Sequence, residues 1–108
     1  MKSHFISPKY LLLLFVFCGS AQAHYPVLNC KMDTGVKQVI CEASFSDRSK
    51  APNVVMEVFS EDDEQVAKGH TDNSAMYRFT PPSGAYFIIM DAGPGHVLEI
   101  SDEEVNGI

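Results

Sequence analysis

From Val27 to Ile100, apolar and polar residues alternate in short runs, and turn-forming residues interrupt them about every ten positions, a rhythm of strands and not of helices. Strands are predicted near Val27–Met32, Lys37–Phe45, Asn53–Phe59, Gln65–His70, Ala75–Thr80, Ala85–Asp91 and His96–Ile100. The breaks have explicit turn chemistry: Ser46-Asp47-Arg48-Ser49, the acidic run Glu61-Asp62-Asp63-Glu64, Thr71-Asp72-Asn73-Ser74, Pro81-Pro82-Ser83-Gly84 and Ala92-Gly93-Pro94-Gly95. Within the third run Val54, Met56 and Val58 fall on one face, and Val55, Glu57 and Phe59 on the other. Seven short antiparallel strands patterned this way predict an all-β fold, an Ig-like β-sandwich. The acidic run reads as a hairpin turn, because the alternating ligand spacing of an EF-hand is absent. Residues 102–108 read as an acidic flexible tail after a domain spanning 24–101.

The first 23 residues have a different character. Lys2 and Lys9 give a basic start, Leu11 to Cys18 an apolar run, and Ala21-Gln22-Ala23 a small-x-small cleavage pattern, so residues 1–23 read as a secretory signal peptide cut between Ala23 and His24. The apolar run falls short of the roughly 20 residues that span a bilayer, and no later segment approaches that length, so no membrane span is expected. The alternative is a lipoprotein signal with Cys18 acylated and kept as the first residue; Phe17, where such a site has a small residue, argues against it. The expected product is a secreted or periplasmic chain of one domain.

Two cysteines remain after cleavage, Cys30 and Cys41, on either side of the turn Asp33-Thr34-Gly35. In an oxidising compartment such a pair reads as a disulfide between neighbouring strands, which stabilises by about 3 kcal/mol in the chain-entropy model. The other reading, a two-thiolate metal site, needs a reducing compartment or a soft metal. Loss of Lys2 and Lys9 leaves 6 basic against 14 acidic residues, a net charge of −8. That balance disfavours nucleic acid and anionic membrane surfaces and favours cations.

Cleavage at Ala23 would give the chain a histidine as its first residue. The free amine and the imidazole of His24 can chelate one metal ion, and both are nitrogen donors suited to copper(II), nickel(II) or cobalt(II). Pro26 lacks an amide proton, which argues against a square-planar site built from successive backbone amides, so a side-chain donor from elsewhere is required. In an Ig-like sandwich the chain start lies at the same end as the loops joining strands two and three, four and five, and six and seven. His96 is therefore the expected second ligand and His70 a weaker third, with Asp91 a weak oxygen ligand. Asp47 and Asp72, near the same loops, could serve as oxygen ligands or orienting acceptors, although turn capping explains both. The competing reading of His70 and His96 is a solvent-exposed strand end and a backbone-bonded strand start. Met56 and Met90 sit in strand patterns as core, which leaves only Met32 and Met76 as loose thioether candidates. No nucleophile with a base, phosphate loop or paired-carboxylate site is present, so no enzyme is expected.

The segments "APNVVMEVFSEDDEQVAKGHTD" and "YRFTPPSGAYFIIMDAGPGH", with the start "HYP", resemble small carboxypeptidase-regulatory-like (transthyretin-like) sandwich domains of bacterial extracytoplasmic proteins. More narrowly, they are similar to accessory domains of nickel and cobalt uptake systems. The resemblance covers most of residues 24–100 and speaks to fold more than activity. It departs from the pattern after Thr71-Asp72, where such domains carry a glycine and this chain has Asn73-Ser74-Ala75. It implies a transthyretin-like sandwich that carries nickel or cobalt, with a membrane metal transporter or another periplasmic protein as partner. The Irving–Williams order favours copper instead. The expected function is thus delivery, buffering or uptake of one divalent transition metal. Its competitors are a protein-interaction or structural module and, last, a small histidine-brace copper redox protein.

Overall fold

The computed structural model describes residues 24–106; the expected signal peptide, Cys18, Ala23 and the last two residues of the expected tail lie outside that range. Seven strands follow in order: β1 (Pro26–Asp33), β2 (Gln38–Phe45), β3 (Val55–Ser60), β4 (Gln65–His70), β5 (Met76–Phe79), β6 (Tyr86–Asp91) and β7 (Val97–Ser101). They form two antiparallel sheets, β1-β2-β5 and β4-β3-β6-β7. All seven predicted strands are present, with ends displaced by one or two residues where turns intrude; Lys37 and Asn53 are turn residues of positive φ, 57° and 55°.

The alternation sets the two layers face to face. Val39, Cys41 and Ala43 of β2 point inward against Met56 and Val58 of β3 and Ile88 and Met90 of β6, all fully buried. Phe79 and Tyr86 meet edge to face at 5.8 Å and close one end of this core. Cys30 and Cys41 are directly opposed on β1 and β2 and form the expected disulfide. The acidic run is the β3–β4 hairpin turn, with Ser60 N–H donating to the Glu64 carbonyl at 2.8 Å. A register shift between Val58 and Phe59 accommodates it.

Two loops at one pole are tied down by side chains. Thr71, buried after β4, donates its hydroxyl to the Ala51 carbonyl at 2.7 Å and accepts from Val54 N–H at 2.9 Å. It thereby fastens the end of the β2–β3 loop to β4. Asp72 accepts from Ser74 N–H at 2.8 Å and from Met76 N–H at 2.9 Å, a turn cap. The loop that departs from the glycine pattern reaches a glycine-type conformation without glycine: Ala75 has φ 64° and is fully buried. Hydrogen bonds from its N–H to the Asp72 carbonyl and from Ala43 N–H to its own carbonyl hold it there.

The segment expected as a flexible tail is ordered up to Asn106. Asp102–Glu104 form a 3-10 turn in which Ser101 N–H donates to the Glu104 carboxylate at 2.9 Å. Val105 packs on the core, and Asn106 exchanges backbone hydrogen bonds with Cys30 and Met32, covering part of the β1 edge. Composition alone reads these residues as solvated; one apolar side chain and an unpaired strand edge bind them.

Candidate metal centre

Two loops and the segment His24–Tyr25 build the pole beside β2. Tyr25 N–H donates to Ser46 Oγ at 3.1 Å, and Ser46 N–H donates to the Tyr25 carbonyl at 2.9 Å, so the residue after His24 is fixed to the β2–β3 loop. That loop turns back on itself at once: Arg48 takes φ 75°, and Phe45 N–H donates to the Ser49 carbonyl at 2.9 Å. Asp47 stands inside the turn. Its Oδ1 accepts from Ser49 Oγ at 2.6 Å and Ser49 N–H at 2.9 Å, leaving Oδ2 without a partner among these bonds. The Ser49 hydroxyl, then the Ser49 amide, and more weakly the positive charge of His24, hold the Asp47 carboxyl below its ordinary range.

The β6–β7 loop supplies the opposite wall. Ala92 N–H donates to the His96 carbonyl and His96 N–H to the Gly93 carbonyl, both at 2.9 Å. Gly93 and Gly95 take φ 109° and 79°, conformations that L side chains rarely adopt. The half-buried His96 ring lies edge to face against Phe45, with centroids 6.3 Å apart, and its Nδ1 is 3.1 Å from the Pro94 carbonyl oxygen. A carbonyl only accepts, so in this contact Nδ1 is the donor and Nε2 is the ring nitrogen left for a metal ion. A carbonyl-bonded Nδ1–H is the arrangement that orients a metal-ligating imidazole.

His24, Phe45, Asp47, Ser49, Ala92 and His96 together line an open cleft of about 260 Å³. No protein-family model, curated protein or solved structure matches the chain. The chemistry of the cleft must therefore be read from its own residues. It offers imidazole from His24, imidazole Nε2 from His96 and a carboxylate oxygen from Asp47, over an aromatic floor.

Two expected ligands lie elsewhere. His70 ends β4 on the rung shared by Val55 and Asp91, one residue out of phase with the inward-facing Gly69, Met56 and Met90. Both His70 and Asp91 thus belong to the outer face of the four-stranded sheet, and neither lines the cleft. Asp91 Oδ1 instead accepts from Gly93 N–H at 2.9 Å and shapes the loop that carries His96. Met56 and Met90 are core, as their place in strand patterns predicts. Among the described residues, no three His, Cys, Asp or Glu side chains form a group that could hold a metal ion. Sequence reading favours turn capping for Asp47 over an oxygen ligand; its Asp-x-Ser spacing announces the turn, and the tertiary structure puts that turn on the cleft that His96 also lines.

Proposed function

We propose that the chain, once cut between Ala23 and His24, binds one divalent transition metal ion in this cleft and serves its delivery, buffering or uptake in the periplasm without turnover. The observation that carries the reading is that His24 and His96, from opposite ends of the domain's sequence, line one cleft with Asp47. Side chains alone supply too few close donors, and the missing one is the α-amine that cleavage would create. The Nδ1–H contact to the Pro94 carbonyl gives His96 the tautomer a ligand requires. The Cys30–Cys41 disulfide fits an oxidising compartment, and among the described residues no helix is long and apolar enough to cross a membrane. Copper(II) is favoured by intrinsic affinity, while nickel(II) or cobalt(II) rests on the family resemblance and would imply a membrane transporter as partner.

The test is a native mass spectrum of protein recovered from the periplasm without chelator or tag, followed by titration with copper(II), nickel(II) and cobalt(II). A species that begins at His24, lacks two hydrogens for the disulfide and carries one metal ion is expected. His96→Ala, or one extra residue ahead of His24, should weaken that binding about a hundredfold or more, the loss of a ligand. Metal-free protein after exposure to all three ions, or equal affinity with the terminus blocked, would overturn the reading.

A further inference from the structure

The outer face of the four-stranded sheet is separate from the cleft and, together with its β3–β4 hairpin turn, carries half of the chain's 14 acidic residues. Glu57, Asp91 and Glu99 stand on the face against one basic residue, Lys68, and the acidic run caps its β3–β4 end, with Asp63 at the face itself. The other sheet with its turns has a slight basic excess: Lys31, Lys37, Arg48, Lys50 and Arg78 against Asp33, Glu42, Asp47 and Asp72. In the middle of the acidic face Phe59 lies directly opposite Phe87, with Ile89 two residues further along β6 and opposite Glu99. Phe59, Asp63, Phe87, Ile89 and Glu99 line an open cleft of about 330 Å³.

All three apolar side chains are only half-buried, although strands of a two-layer sandwich place polar residues on the outer face. An aromatic pair with an aliphatic neighbour, rimmed by carboxylates, is the anatomy of a docking surface: an apolar centre that anchors and a charged rim that selects. Gln65 already donates to Glu57 at 2.7 Å and Gly93 N–H to Asp91, which leaves Asp63 and Glu99 as the carboxylates at the cleft itself.

We infer that this face binds a segment of another polypeptide that presents an aliphatic or aromatic anchor flanked by lysine or arginine. Charge complementarity selects that occupant over a second copy. A two-fold dimer through this face would set Glu57, Asp63 and Glu99 against themselves, and docking it on the basic sheet of a second copy is a head-to-tail contact that need not close.

The test uses the disulfide-bonded chain starting at His24, labelled with 15N. It is titrated with a synthetic decapeptide alternating lysine and leucine, and with the same peptide carrying glutamate for lysine. Amide shifts centred on Phe59, Phe87, Ile89 and Glu99 are expected with the lysine peptide alone. Asp63→Lys with Glu99→Lys should weaken binding about tenfold, as expected for two exposed charge pairs, while Asp33→Lys with Glu42→Lys, an equal change of net charge on the opposite sheet, should change it far less. Equal weakening by both double variants, equal binding of the glutamate peptide, no binding, or the same shifts appearing in the protein alone as its concentration rises would each overturn the inference.

Discussion

Replacing Thr71 by valine keeps the side-chain shape and removes one oxygen. That oxygen donates to the Ala51 carbonyl at 2.7 Å and accepts from Val54 N–H at 2.9 Å, and Thr71 is 3% exposed, so water cannot substitute freely for either bond. Each bond is worth about 1 kcal/mol net, and an abandoned buried backbone group costs about 1–3 kcal/mol, which puts the loss at about 2–4 kcal/mol. Against a domain stability of about 5–15 kcal/mol this is a large fraction. Urea unfolding followed by circular dichroism measures it. With a slope of about 1.5 kcal/mol per molar, the midpoint should fall by about 2 M with the slope unchanged. Thr71→Ser keeps both bonds and loses one methyl group, about 0.8 kcal/mol, so it should lie much closer to the wild type. A valine variant within about 0.5 kcal/mol of wild type, or a serine variant less stable than the valine one, would refute the assignment of Thr71 as the fastener of the β2–β3 loop.

Three further outcomes are expected. Replacing Cys30 and Cys41 together by alanine should lower stability by about 3 kcal/mol, because the cross-link closes a short loop between paired strands; unchanged thermal unfolding would contradict this. Gly69→Ala places a Cβ 2.8 Å from Tyr77 Cε1 and should destabilise by about 1–3 kcal/mol, a cost that largely vanishes in a Tyr77→Ala background if the ring is the cause. Asp47 has a folded pKa below its ordinary 3.8 through the Ser49 hydroxyl and amide, so its stabilising contribution is present above about pH 4 and fades as pH falls through the lower folded value. Carboxyl NMR should find an Asp47 midpoint below 3.8, and the stability gap between wild type and Asp47→Ala should narrow toward pH 2; a midpoint above 3.8 would be the contrary result.

The strands, the turns and the disulfide were legible in the sequence because each rests on local chemistry. Period-two alternation sets Met56 and Val58 on one face of their strand, and Asp, Ser, Asn and Gly at fixed offsets mark the turns. Cys30 and Cys41 flank a tight turn, and a hairpin register sets them opposite each other. The glycines around Pro94 likewise announced a loop able to carry His96.

Side-chain parity and sheet membership were decided by tertiary structure. Of the residues near one pole, His24, Asp47 and His96 line one cleft, whereas His70 and Asp91 face the other side of their sheet, a division that turns on single-residue offsets in strand register. Thr71 reads in sequence as one more turn residue, and only the arrival of Ala51 and Val54 beside it makes its hydroxyl structural. The acidic segment after β7 is ordered because an open edge of β1 lies within reach, a fact of layer packing that no local composition encodes. The separation of charge between the two outer faces has the same origin: the residues are fixed by the chain, but which of them share a surface depends on which strands pair, and pairing is settled by the burial of distant apolar faces against one another.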